Sequence, residues 1–448
     1  MLIRGAEIDG ACCDVRITDG CIAAIAPELP PRLDERVLDA AGAALLPGLT
    51  DHHIHLNATA AALQSVRCGP PEILDEAALV AALETAPGDG WLRGIGYHPS
   101  IGVDVDRAWL DRHGPARPIR IQHRSGRMWI LNSRAEEMIG TALPADGRLL
   151  DRDDWLRERM GSAGVDLVPL GAQLAGFGIT GLTEVTPRNG LADYRRYAEA
   201  GLPQRLLIMG RAELDDAAPL GLARRGAVKL HYHDHDLPAL DRLAAEVARA
   251  HDAGRPVAAH CVTEAELMLT LAAIEAAGPH RGDRIEHAAI TTPPCVEWIA
   301  ALGLTVVTQP HFIVERGAAY STDVEPELRA WLYRLRGFVD AGIRLAAGSD
   351  APFGGIDPWR AMAAAVDRPA AFGADERLSP EQALALFTGQ AEDPGGMARR
   401  VAVGEAADLC LIDRPWREAR GALAAVRVRA TLVGGRIVHG GDALGAPL

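Results

Sequence analysis

The chain has 448 residues and a formal net charge of −14, from 46 basic and 60 acidic side chains. That balance argues against a nucleic-acid binder, which needs a basic surface. A hydrophobic fraction of 48% with 24% charged residues is ordinary for a globular protein with a large core. No apolar run nears the ~20 residues that span a bilayer, so no membrane partner is expected. The first ten residues carry charges where a signal peptide needs an apolar stretch. Seven cysteines at irregular spacing read as reduced thiols, so a cytoplasmic protein is expected.

One compositional feature is unusual. Of the 46 basic residues, 45 are Arg and one, Lys229, is Lys. Only an amine that can lose its proton becomes a nucleophile, and a guanidinium does not. A chance surface survivor is the plain alternative.

The predicted elements begin with short strands over residues 2–25, turning at Asp19-Gly20, a hairpin signal. Short strands return at 407–412 and 426–438, with Gly434-Gly435 as the turn. These ends are either two separate caps or one small sandwich built from both termini. Between them, apolar runs at 45–55, 178–185, 205–209, 227–232, 256–261, 284–287, 304–308 and 343–349 alternate with helical stretches such as 237–253 and 264–277. Such alternation implies parallel βαβ units. Eight of them suit an α/β (β/α)8 TIM barrel. An open doubly wound sheet would show a Gly-rich phosphate loop after its first strand, and the chain has Pro47-Gly48-Leu49-Thr50-Asp51-His52-His53 there instead. Residues 57–165 are too long for an ordinary connection. They hold a further strand at 118–123 and helices near 74–84 and 133–139, and read as an insertion after strand one, over the barrel mouth.

Side chains at the carboxyl ends of barrel strands converge on one site. His53 and His55 end the first strand, two residues apart and so on one face. Lys229 lies in the fourth strand, His260 ends the fifth, His287 the sixth, and Asp350 follows the eighth. Singly, each has a dull explanation: a satisfied core histidine, an ion-pair lysine, a helix-capping aspartate. Jointly they form an array that suits divalent metals, because imidazoles and carboxylates bind Zn²⁺, Mn²⁺ or Fe²⁺.

With those residues in view, the chain resembles the amidohydrolase superfamily. The segments Pro47-Gly48-Leu49-Thr50-Asp51, Arg284-Ile285-Glu286-His287-Ala288 and Gly348-Ser349-Asp350-Ala351-Pro352 carry the likeness. Trp91-Leu92-Arg93-Gly94-Ile95-Gly96, Arg124-Ser125-Gly126, Asn132-Ser133, Gln309-Pro310-His311-Phe312 and Leu378-Ser379-Pro380-Glu381-Gln382-Ala383 narrow it to the YtcJ-like group, amidohydrolase 3. The resemblance covers nearly the whole chain. It implies a composite β-sandwich from 1–46 plus 400–448 around a barrel of 47–399. It further implies a binuclear metal centre, with His53, His55 and Asp350 on one metal and His260 and His287 on the other. Zinc is the first expectation, and manganese or iron also suits the donors. CO₂-derived carboxylated Lys229 would bridge the pair. Two metals about 3.5–4 Å apart make hydroxide available at neutral pH. Asp350 would serve as general base and then acid, cleaving the C–N bond of an amide, N-acyl or cyclic amide.

Some residues depart from the group's pattern. Arg127 stands where many relatives have His. The strand-four Lys is followed by His231-Tyr232-His233-Asp234-His235 rather than an Asp-Gly pair, and Glu184 replaces a common Asp. Glu184, His231, His311, Arg124, Arg127 and Trp129 are the candidate contacts to a small-molecule substrate, each with a structural alternative. Two other functions stay open: a mononuclear deaminase on the same fold, and a non-catalytic regulatory or assembly protein that kept the barrel. A homo-oligomer is compatible with the sequence.

Overall fold

The computed structural model describes residues 1–70, 72–160 and 165–441. Its largest sheet has eight parallel strands in chain order: Leu49–Ile54, Ile179–Glu184, Arg205–Gly210, Ala223–Leu230, Val257–Cys261, Arg284–His287, Thr305–Thr308 and Arg344–Ala347. We number these barrel strands 1 to 8. Helices such as Leu240–Asp252 and Glu264–Ala277 link them. The second of these starts with a capping box, in which Thr263 and Glu266 satisfy each other's backbone N–H. The (β/α)8 expectation holds.

Strands 1 and 8 are brought together at their carboxyl ends. The Asp350 N–H donates to the His53 carbonyl (2.7 Å), and the His55 N–H donates to the Ala351 carbonyl (3.0 Å). Buried Asp51 accepts from the N–H groups of both Ser349 and His53, each at 3.0 Å.

The sequence predicts one strand over 45–55, and the structure divides it at Gly48. Leu45–Pro47 pairs antiparallel with Leu409–Ile412, while Leu49–Ile54 enters the barrel. A Cβ on Gly48 would lie 2.8 Å from the Thr180 Cβ, so the crossing admits only glycine.

Two four-stranded sheets form the terminal sandwich. One holds Leu2–Ile8, Ala11–Thr18, Cys21–Ala26 and Val37–Asp39. The other holds Leu45–Pro47, Leu409–Ile412, Val428–Val433 and Arg436–His439. The sandwich is therefore composite, with Ile3, Val15 and Leu38 sharing a core with Leu409 and Leu432. Both expected hairpin turns are present. Asp19-Gly20 and Gly434-Gly435 each take two successive positive φ angles, as a tight right-twisted hairpin needs.

Residues 57–166 make a second compact unit. Its five-stranded sheet holds Val66–Arg67, Leu92–Tyr97, Ile119–His123, Met128–Leu131 and Arg148–Leu150. Leu79, Tyr97, Leu110 and Ile121 lie in its own core. The sequence pattern shows only the strand near 118–123: Val66–Arg67 and Arg148–Leu150 are too short to show alternation, and Leu92–Tyr97 is interrupted by Gly94 and Gly96. The two expected helices are Glu76–Glu84, capped by Asp75, and Ser133–Ile139, capped by Asn132.

In the sandwich, Arg16 forms a forked pair with Glu35 at 2.8 and 2.9 Å, both side chains 7% exposed. The Arg16 hydrogen bonds hold Glu35 down from 4.5 to about 2. A carboxylate so depressed stabilises the fold fully above its unfolded pKa and ceases to do so as pH falls through its folded one. Glu35→Gln should cost about 1–3 kcal/mol near neutral pH. Paired urea titrations should show the gap from wild type closing as pH falls from 4.5 toward about 2.

Candidate metal centre

The expected ligands come together at the carboxyl ends of the barrel strands. His53 Nε2 and His55 Nε2 each stand 3.3 Å from the same oxygen, Asp350 Oδ1. Among the described residues these three are the set whose ligand atoms lie close enough together to share one metal ion. The imidazoles continue as a chain. Ring centroids are 4.7 Å apart for His53 and His287, 4.5 Å for His287 and His260, and 4.2 Å for His260 and His231.

Each of three candidate ligand rings has its Nδ1 occupied from outside. His53 Nδ1 meets Glu286 Oε2 at 2.5 Å, His55 Nδ1 meets Thr186 Oγ1 at 3.2 Å, and His287 Nδ1 meets Gln309 Oε1 at 2.8 Å. Such partners fix ring orientation and raise ligand basicity. Burial holds His287 down to about 3 and also lowers His260. These rings are thus neutral at physiological pH, the form that binds metal. Burial works against the charge on Asp350 too, but hydrogen bonds from His53 and His55 outweigh it and keep the carboxyl well below its usual range.

The backbone is bent where ligands sit. His287 (φ 69°), Ala288 (φ 48°) and Asp350 (φ 51°) are left-handed, a conformation that costs energy in non-glycine residues and clusters at functional sites. Glu286 and His287 are adjacent, so strand alternation alone would send them to opposite faces. The left-handed turn at His287 lets both reach His53.

Lys229 is 6% exposed, and its Nζ has no hydrogen-bond partner among the described residues. Glu286 Oε1 is 3.7 Å away. Burial lowers the ammonium from 10.5 to about 8, although Glu286 opposes the shift. A buried amine with no hydrogen-bond partner among the described residues and a weakened charge, beside the candidate ligand histidines, fits a group that is completed by something else. The donor set as a whole fits divalent metal, since it combines imidazoles with a carboxylate.

The other candidates are placed as follows. Glu184 is fully buried and accepts from the N–H groups of Leu56 (2.5 Å) and Thr186 (2.9 Å) and from the Asn189 amide (3.2 Å). It thereby caps the start of the helix Leu56–Leu63. His231 is exposed beside His260. His311 is buried, with Nε2 3.1 Å from the Ser349 carbonyl and Nδ1 without a partner among the described residues. In the second unit, exposed Arg127 pairs with Asp151 (Nε to Oδ1, 2.8 Å). Trp129 is buried beneath the guanidinium groups of Arg93 and Arg120, at 5.3 and 5.1 Å, and Arg124 is exposed. Sequence reasoning missed Glu286, Gln309 and Thr186 as partners of the ligand rings. It also missed Phe353, which is 61% exposed and edge-on to His55 at 5.8 Å. Glu286 and Gln309 each lie in a segment already singled out, so their position beside a ligand strand end was the available signal.

A parallel barrel with this donor set at the carboxyl ends of its strands defines a metal-dependent barrel hydrolase. Residues 36–439 match the amidohydrolase family Amidohydro_3, and the chain belongs to it. It is 27% identical to an N-substituted formamide deformylase of Arthrobacter pascens, over 97% of this chain and 96% of that one. It is 25% identical to YtcJ of Bacillus subtilis strain 168, over 46% of this chain and 41% of that one. Among solved structures, a metal-dependent hydrolase of Pyrococcus furiosus superposes with a TM-score of 0.73 at 20% identity, covering 92% of this chain and 97% of that one. The protein is accordingly a metal-dependent hydrolase acting on C–N bonds.

Gly348 lets the last strand approach the first. A Cβ there would lie 2.5 Å from the His53 Cβ and 2.8 Å from its Cα. Gly348→Ala must push the His53 backbone away from Asp350. It should cost about 1–3 kcal/mol by overpacking, and thermal unfolding with metal analysis should show lowered stability and lowered metal content together.

Proposed function

We propose that this chain hydrolyses an amide, N-acyl or cyclic amide bond of a small molecule, using two divalent metal ions, zinc first, held by these residues. His53, His55 and Asp350 would hold one metal, and His260 and His287 the other. Lys229 would bridge them as a carbamate, forming an N–C bond from Nζ to CO₂ with loss of the amine proton. The observation that carries this is Lys229 itself, a buried amine with no hydrogen-bond partner among the described residues and with its charge weakened by burial. When bound, divalent metals polarise the scissile carbonyl and bring the pKa of water to near 7. Asp350 takes a proton from the attacking water and returns it to the leaving nitrogen. His311, His231 and Phe353 are the substrate contacts we assign on the barrel side. Glu184, bound to three donors, holds the backbone that follows barrel strands 1 and 2.

No helix among the described residues is long and apolar enough to cross a membrane, and the seven described cysteines are unpaired. We place the protein in the cytoplasm on that thiol chemistry.

One observation favours a second reading, a mononuclear deaminase. Only His53, His55 and Asp350 already converge closely enough for one ion among the described residues. Metal analysis of active protein separates the two, with two ions per chain expected on our reading. Lys229→Ala should lose metal and at least about a hundredfold in kcat/KM on an amide or N-substituted formamide substrate. A short carboxylic acid should partly restore activity, whereas Lys229→Arg should stay inactive. Normal turnover by the Arg variant, or one ion per chain with Lys229→Ala fully active, rejects the bridging role.

A further inference from the structure

We propose that Glu286 is a positioning residue that fixes His53 for the metal, an inference resting on the reading of His53 as a ligand. Glu286 is fully buried on strand 6. Its Oε2 lies 2.5 Å from His53 Nδ1, and a carboxylate only accepts, so Nδ1 carries the proton. With Nδ1 committed to Glu286, Nε2, which faces Asp350 Oδ1 at 3.3 Å, is the atom through which His53 would bind a metal that displaces its proton.

The second oxygen has a different task. Arg284 Nε donates to Oε1 at 2.6 Å, and Arg284 Nη2 reaches the His52 carbonyl at 3.1 Å. Lys229 Nζ stands 3.7 Å from the same Oε1. The His53 ring, Glu286, Arg284 and the His52 backbone thus form a closed brace. Strands 1 and 6 are not neighbours in the sheet, so the brace crosses the barrel interior. Glu286 acts through His53, since its oxygens are taken by His53 and Arg284.

Glu286→Gln keeps the size of the side chain but offers one oxygen to two donors. Its –NH₂ must then face either His53 Nδ1–H or Arg284 Nε–H. Zinc affinity of the metal-free protein, measured by competition with a chromophoric chelator, should fall about 10- to 100-fold. The decisive comparison is a double-mutant cycle with His53→Ala. If Glu286 works through His53, adding Glu286→Gln to His53→Ala should change the remaining affinity by less than about twofold. A general structural role would lower affinity by the same factor in both backgrounds, and that result overturns the inference. Glu286→Gln with wild-type affinity overturns it too, while leaving the metal-centre reading intact. His53→Ala with wild-type affinity overturns both. Should Glu286→Gln not fold, Glu286→Asp retains the charge and both acceptors while moving them back from His53. It should show a smaller loss with the same dependence on His53.

Discussion

The closure between the first and last barrel strands is the constraint on which the site depends. His53 and His55 belong to one end of the barrel sequence and Asp350 to the other, and a shared metal position requires the two strand ends to touch. Three features secure this contact. Gly348 removes a side chain where the strands are closest, the Asp350 N–H binds the His53 carbonyl, and Asp51 ties Ser349 to the backbone of His53. Asp51 is itself buried, and burial raises its pKa. The chain therefore tolerates an unfavourable carboxylate in the interior in order to hold two strands in register.

A second theme is the treatment of buried charge. Lys229, Arg284 and Glu286 lie together within the barrel with almost no solvent contact. Removing one member of such a group leaves the others uncompensated, which is far costlier than the group is stabilising. Glu286 ends well below its ordinary carboxyl range, because Arg284, Lys229 and His53 together overcome its burial. Lys229 gains less from the arrangement, since Arg284 already has the shorter contact to Glu286, 2.6 Å against 3.7 Å. The result is an ammonium held only loosely as a cation.

Much of this was legible in the sequence, for physical reasons. Residues at strand ends are readable because a parallel barrel turns strand order into convergence, so the gathering of His53, His55, Lys229, His260, His287 and Asp350 at one end could be expected without coordinates. The lone lysine among 45 arginines strengthened that reading. The break at Gly48 was hidden, since an apolar run does not show which sheet receives each half. The sheet of the second unit was largely hidden too, because strands such as Val66–Arg67 and Arg148–Leu150 are too short to show alternation. Glu286 escaped for a sharper reason. Strand alternation assigns it away from His287, and only the left-handed backbone at His287, invisible in residue types, reverses that assignment.

The composite sandwich has a consequence for biosynthesis. Leu45–Pro47 leads directly into barrel strand 1, yet its sheet partner Leu409–Ile412 is translated more than three hundred and fifty residues later. The bond from the Ser349 N–H to Asp51 likewise spans 298 residues. Contacts of such sequence separation form late, because loop closure must precede them. Any stretch of chain that stops before residue 350 lacks the carboxylate oxygen that stands 3.3 Å from both His53 and His55. The set His53, His55 and Asp350 therefore depends on a closure between distant parts of the chain, and neither part supplies it alone.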